Sequence, residues 1–203
     1  MANLEANQSA VHNSINANNK NHTFSFKKLS HKPCTLNQFT ILHQNIRRIS
    51  NKIDEFLNSV SPNAPHIICL TEHHSRTEEL SNVNFGHYSL GASFCIQTYS
   101  HGGVCIFVPK NTQFHAVNLD QYNREKDLEI CALKLNISSN SFTIVCIYRS
   151  PTGNVFYFLY QLELILTKIY KTSNEIILCG DFNINYLNDG SRKDLLRLSV
   201  SLF

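Results

Sequence analysis

Four short stretches carry the groups with which this chain can do chemistry: His43-Gln44-Asn45, Leu70-Thr71-Glu72, Ile147-Tyr148-Arg149-Ser150-Pro151 and Gly180-Asp181-Phe182-Asn183. Between them they offer two carboxylates (Glu72, Asp181), two carboxamides (Asn45, Asn183) and a phenol (Tyr148). A carboxylate beside an amide oxygen suits a hard cation such as Mg²⁺, which takes a few protein oxygens and keeps several waters. A second carboxylate can orient or deprotonate a water, and amide or phenol protons can be given to developing negative charge. Each residue also has a plainer role when taken singly. Asn45 suits the N-cap of a following helix, Glu72 suits a solvated strand end, and Asp181 and Asn183 suit a turn. Tyr148 can be a half-buried aromatic. Position sets them apart: every stretch ends a predicted strand, and in layered α/β folds strand ends converge on one crevice. Glu72 and Asp181 are therefore expected at one cleft with Asn45, Tyr148 and Asn183.

The elements that must position these residues are legible from periodicity. Residues 39–45 read as a strand, after which Ile49, Ile53, Phe56, Leu57 and Val60 recur with the spacing of one apolar helix face. Pro62 and Pro65 end that helix, and residues 66–72 form an apolar, β-rich run closing on a carboxylate. Segments near 88–98, 103–108, 128–135 and 142–148 follow at short intervals between turn formers, as consecutive antiparallel strands do. Phe158, Leu162, Ile165, Leu166 and Ile169 repeat the helical spacing, and residues 175–180 repeat the apolar strand beside an acid. Strand, helix, strand thus appears twice. The predicted fold class is α/β, a four-layer α/β sandwich of two packed, mainly antiparallel sheets flanked by helices. Residues 194–203 read as the start of a further apolar helix.

Composition bounds the alternatives. With 203 residues, 42% of them hydrophobic and 16% charged, the chain has the material for one globular domain. Residues 1–38 are polar, Asn-rich and without periodicity, so a flexible leader is expected before a domain at 39–203. The formal charge of +3 sits in that leader, as Lys20, Lys27, Lys28 and Lys32 against Glu5; the remainder balances 14 basic with 14 acidic residues. Any grip on nucleic acid by the body must therefore come from a local site, not a global basic field. The seven cysteines are odd in number, lack a C-x-x-C pair and mostly sit in apolar runs, so they read as reduced core residues and not as a zinc site. No apolar run approaches the roughly 20 residues of a membrane span, and residues 1–21 lack the pattern of a secretory signal. An intracellular protein without a membrane partner is the expectation.

In their order along the chain, Gln44-Asn45, Thr71-Glu72, Tyr148 and Gly180-Asp181-Phe182-Asn183 resemble the successive motifs of the metal-dependent endonuclease/exonuclease/phosphatase superfamily. Gly102-Gly103-Val104 and Tyr148-Arg149-Ser150-Pro151 look most like the endonuclease domains of non-LTR (LINE-type) retrotransposons. The resemblance covers residues 39–203 and implies DNA-nicking phosphodiester hydrolysis with Mg²⁺, or Mn²⁺ in its place. It assigns Glu72 to the metal with Asn45 helping to place metal and phosphate, Asp181 to the attacking water, and Asn183 and Tyr148 to phosphate oxygens. It also implies a monomer that binds DNA, nuclear where functional, with a reverse transcriptase domain in the full-length element.

Where the family carries a further Asp and a terminal Ser-Asp-His after the Gly-Asp-x-Asn motif, this sequence reaches Phe203 with neither. All ten histidines precede Asp181, and His43, His73 and His74 near the predicted site suit ordinary polar roles. A domain incomplete at its C-terminus, lacking its final strands and with little activity, is the expectation. Two alternatives stand beside it: a non-catalytic remnant or domesticated fragment that binds nucleic acid, and a phosphatase acting on a small phosphate ester.

Overall fold

The computed structural model describes residues 11–15, 21–26, 39–60, 64–137, 140–171 and 175–184. Six strands form the first sheet: β1 (Val11–Ile15), β2 (Asn21–Phe26), β3 (Phe39–Asn45), β4 (Ile67–Thr71), β5 (Tyr88–Phe94) and β6 (Val104–Pro109). Their spatial order is β1-β2-β3-β4-β6-β5. Four strands form the second: β7 (Phe114–Val117), β8 (Glu129–Ile137), β9 (Asn140–Tyr148) and β10 (Glu175–Asp181), in the order β10-β9-β8-β7. The β3/β4 and β9/β10 pairs are parallel and the remaining pairs antiparallel.

Each layer follows from the side chains it must bury. Strand β4 reads Ile-Ile-Cys-Leu-Thr and is buried at every position, as a central strand covered on both faces requires. Its inward residues Ile67 and Cys69 join Ile41, Ile106, Leu133, Ile144, Cys146 and Ile177 in the core between the sheets. Its outward residues Ile68 and Leu70 pack with Phe56 of helix α1 (Ile53–Val60), Leu80 of helix α2 (Thr77–Ser81) and Phe85. There the Phe85 and Phe107 rings stack with centroids 4.1 Å apart. On the far side, Val145 and Ile147 meet Phe158, Leu162, Ile165, Leu166 and Ile169 of helix α3 (Val155–Tyr170). The side chain of Asn154 caps that helix by accepting the Tyr157 N–H at 3.0 Å. Two helical layers thus enclose two sheets.

Several local expectations change. Within the stretch read as a flexible leader, β1 and β2 form an antiparallel hairpin, and β2 continues the first sheet by pairing with β3, Phe24 opposite Ile41 and Phe26 opposite Phe39. The physical reason is that β3 would otherwise be a sheet edge, and the short alternation Phe24-Ser25-Phe26 is enough to pair with it. The four leader lysines and the apolar run at 194–203 lie outside the described residues. Helix α1 starts at Ile53, and Ile49 is buried in the loop before it. Strand β7 and helix α2, of four and five residues, are too short for periodicity to register. No helix among the described residues is long and apolar enough to cross a membrane.

One glycine fixes how β10 meets β9. Gly180 lies opposite Ile147 in the parallel ladder with φ +147°, and a Cβ there would overlap the Ile147 carbonyl oxygen. Replacing it forces either a strained backbone or a displaced strand. Gly180→Ala is therefore expected to lower the unfolding free energy by about 2–4 kcal/mol, read by urea denaturation. A loss below about 1 kcal/mol would mean that the ladder gives way easily at this point.

Candidate active site

The two parallel pairs finish at the same edge of the sandwich. In the first sheet Asn45 stands opposite Thr71, with Glu72 next along the chain. In the second, Tyr148 lies between Glu129 on one side and Asp181 on the other. The Asn45 amide nitrogen donates to Glu72 Oε1 at 2.9 Å and to Asp181 Oδ2 at 3.1 Å, so a single side chain joins carboxylates from two different sheets. The Tyr148 phenol lies close enough to the Glu72 carboxylate for Glu72 to raise its pKa. Asp181 Oδ1 accepts the Asn183 N–H at 3.2 Å. All five residues singled out in the sequence therefore meet at one place. Asn183 differs in aim: its side-chain nitrogen donates to the Arg149 carbonyl at 2.7 Å, so part of its donor capacity holds its own loop.

Electrostatics at this end follow from burial beside carboxylates. The Tyr148 phenol is pushed well above its ordinary range by burial first, then by the Glu72, Glu129 and Asp181 charges. It stays a proton donor at any physiological pH. His74 places Nε2 at 3.5 Å from Glu72 Oε2. Burial, with His101 and Arg48 adding, lowers its pKa against the pull of Glu72. Six non-glycine residues among those described have positive φ: Arg47, Arg48, Glu72, His74, Lys126 and Asn183. Every one of them lies in a loop at this end of the sandwich or flanking it. Such backbones cost on the order of 1–3 kcal/mol each and persist where the surroundings over-determine them.

Two buried ionisable side chains supply that over-determination, and neither was assigned from the sequence. Arg149 is 1% exposed, and four carbonyl oxygens accept from its guanidinium: Phe182 (2.9 Å), Asn183 (2.6 Å), Ser150 (2.9 Å) and Gly153 (2.7 Å). It clamps the loop after β10 to the loop after β9. Glu129 is fully buried and accepts from the backbone N–H groups of Gly103 and Lys126. Its pKa is pushed up to about 7 by burial, against those two donors, with Glu125 and Glu72 adding to the rise. At Gly103, φ +89°, a Cβ would strike the ring of His73, which is itself buried and bonded to the Phe94 carbonyl at 3.1 Å. Burial lowers that histidine to about 4, so it is neutral and structural. The sequence did carry signals: a charge directly after the apolar run 144–148 for Arg149, and an acid opening a strand for Glu129.

Beside this cluster lies a cleft of about 400 Å³ lined by Tyr99, Ser100, His101, Lys126, Tyr148 and Ser150. The Lys126 ammonium sits 3.6 Å from the Tyr99 ring centroid. The Tyr99 loop is pinned by Glu125, which accepts from the backbone N–H groups of Gln97, Thr98 and Tyr99. The donor set also fits a hard cation. Asn45 Oδ1 is buried without a hydrogen-bond partner, next to the Glu72 carboxylate that its own amide nitrogen touches. A lone buried amide oxygen beside a carboxylate is what an oxygen-seeking divalent ion takes.

The comparisons with known proteins bear on the fold and the family. Among solved structures, the endonuclease domain of TRAS1, a telomere-specific non-LTR retrotransposon, superimposes with TM-score 0.59 at 17% identity, covering 80% of this chain and 69% of that one. TDP2 of D. rerio, solved with a single-strand DNA product, gives 0.56 at 12% identity, covering 76% and 63%. The 3'-5' exonuclease NExo of Neisseria meningitidis gives 0.54 at 16%, covering 80% and 70%. The chain thus spans between about three-fifths and seven-tenths of these proteins, and at such identities the likeness is one of fold. A search of curated sequences finds no match. The family model for the Endonuclease/Exonuclease/phosphatase family matches residues 35–201, nearly the whole of the sandwich and its site, and the chain belongs to that family.

Proposed function

We propose that this chain is the DNA-nicking domain of a retrotransposon endonuclease, hydrolysing phosphodiesters with Mg²⁺ or Mn²⁺. The observation that carries the reading is the Asn45 amide held between the Glu72 and Asp181 carboxylates, with its own oxygen left without a partner. The neighbouring cleft supports a polymeric anion as substrate, since Lys126 and Tyr99 offer a cation and a ring beside Tyr148. Arg47 and Arg48, exposed directly after β3, add two more cations near the same edge. The likeness to the TRAS1 domain favours DNA over a small phosphate ester.

Glu72 and Asn45 Oδ1 would hold the metal, which when bound supplies charge neutralisation at the phosphate and a more acidic water. The protein's own groups do the rest. Asn45 and Asn183 fix both oxygens of Asp181, leaving lone pairs to orient a water and accept its proton. Tyr148, kept protonated, donates to charge that builds on the phosphate. Asn183 has a second amide proton for a phosphate oxygen. Arg149 and Glu129 hold the loops that carry these groups, and touch no reacting atom. A non-catalytic, nucleic-acid-binding role is the competing reading.

Plasmid nicking in Mg²⁺ separates the two. The 203 residues alone are expected to nick about 100- to 10,000-fold more slowly than a chain extended through the family's terminal Ser-Asp-His, that being the usual cost of losing one proton-transfer or charge-stabilising group. Glu72→Ala and Asp181→Ala in the extended chain should each lower the rate by a comparable factor. Equal rates for both lengths, abolished by Glu72→Ala, would make the imidazole dispensable and overturn this assignment of roles.

The charge distribution generates a separate expectation. Because the net +3 lies in residues 1–38, DNA binding should lose much of its salt dependence when Lys20, Lys27, Lys28 and Lys32 are all changed to Gln. Substitution is the cleaner test, since deleting the leader would also remove β1 and β2 from the sheet. The log–log salt slope should flatten by about 0.9 for each phosphate that is no longer neutralised, or about 3.6 for all four lysines on duplex DNA. An unchanged slope would mean that groups on the body neutralise the phosphates.

A further inference from the structure

One layer beneath the site, the core between the sheets is built from sulfur. Cys131, Cys146 and Cys179 lie side by side on β8, β9 and β10, in register, directly behind the row Glu129, Tyr148 and Asp181. From the opposite sheet Cys69 faces them, paired in its own ladder with the buried His43. The sulfur atoms of Cys69, Cys146 and Cys179 all lie within 4.8 Å of one another. Cys146 is also within hydrogen-bonding reach of Cys131. The sequence hid this cluster because its members come from four different strands and not from one C-x-x-C loop.

We propose that Cys69, Cys146 and Cys179 form a buried three-sulfur site for a thiophilic d¹⁰ divalent cation, Zn²⁺ or its probe Cd²⁺, distinct from the oxygen-rich site above it. Three thiolates around one such ion stand about 4 Å apart for metal–sulfur bonds of about 2.3 Å, so the present spacing needs a contraction of less than an ångström. Soft sulfur ligands select these ions against Mg²⁺, which keeps the two sites chemically separate. Cys131 and His43 stand in the same layer as sources of a fourth ligand. Burial keeps the Cys69 and Cys131 thiols protonated in the metal-free fold, and Cys146 and Cys179 lend S–H groups to the Leu70 and Val145 carbonyls. An entering cation therefore displaces protons and those weak bonds. Since Cys69 and Cys146 are fully buried and Cys179 is 2% exposed, loading accompanies folding, and a bound ion staples β4 of one sheet to β9 and β10 of the other.

The test is to refold the full chain under reducing conditions with Cd²⁺, in a Glu72→Ala, Cys34→Ser background that removes the oxygen-rich site and the thiol outside the described residues. About one cadmium per chain after desalting is expected, with thiolate-to-cadmium absorption, a cadmium NMR shift typical of three or more sulfurs, and a higher melting temperature than the metal-free chain. Cys146→Ser should reduce the stoichiometry to background, while Cys95→Ser, in the outer core of the first sheet, should leave it unchanged. If Cys146→Ser fails to fold, the NMR shift of the parent chain decides. Cadmium at less than about a tenth per chain, a shift typical of oxygen and nitrogen ligands, or binding that survives Cys146→Ser overturns the proposal.

Discussion

The arrangement at the sheet ends turns on one carboxamide. Glu72 and Asp181 are like charges carried by different sheets, and in a partly buried setting they would repel. The Asn45 amide nitrogen carries two protons, enough to donate to each carboxylate. It thereby removes the penalty of an unsatisfied pair and fixes the distance between sheets at the place where chemistry would occur. For one side chain to reach both, β3, β4 and β10 must end at the same height, and the two parallel ladders set that height. A slip of one residue in either ladder would turn the site residue toward an outer helix and an aliphatic neighbour inward. The apolar alternation that fixes register therefore also fixes the site.

Holding strand ends level leaves the loops beyond them to be shaped, and here buried charge replaces buried apolar surface. An arginine at 1% exposure is costly unless its donors are satisfied. Arg149 meets that condition with carbonyls from two loops, including those of Phe182 and Asn183. Glu129 does the complementary job on backbone N–H groups at Gly103 and Lys126. Hydrogen bonds to charged groups contribute about 1.5–3 kcal/mol each, the same order as the left-handed backbones at Glu72, His74 and Asn183. The strain is thus offset locally, and rigid loops present side chains whose direction is settled before any substrate arrives.

Much of this was legible in the sequence because it rests on local signals. Apolar runs located most of the strands, helical spacing located α1 and α3, and the acid or amide at each strand end marked Asn45, Glu72 and Asp181. What was not legible depends on pairing at a distance. Residues 11–15 and 21–26 carry little apolar pattern, and become strands because β3 offers an edge. Glu129 carries no mark in the sequence beyond its place at a strand start, since only the register opposite Tyr148 puts it inside. Arg149 was visible as part of a motif, but the carbonyls it gathers belong to residues whose convergence no spacing rule gives. His73 and His74 are adjacent in the chain and opposite in fate, one sealed beneath Gly103 and the other beside Glu72.

The same two-residue period explains why the site and the core cannot be considered apart. Inward positions on β9 run Tyr148, Cys146, Ile144, and those on β10 run Asp181, Cys179, Ile177. On β3 they run Asn45, His43, Ile41. Each strand therefore passes from hydrocarbon, through sulfur or imidazole, to the polar groups at the rim. A thiol is smaller than the isoleucine below it and more polarisable, so the middle layer lets the sheets approach while remaining adaptable. Close approach at that level is what allows the Asn45 amide, one layer higher, to reach Asp181 at 3.1 Å. Bulkier residues at Cys146 or Cys179 would wedge the sheets apart in a core that has no room to absorb them. The cost would first be felt not in the core but at the amide that bridges the two carboxylates.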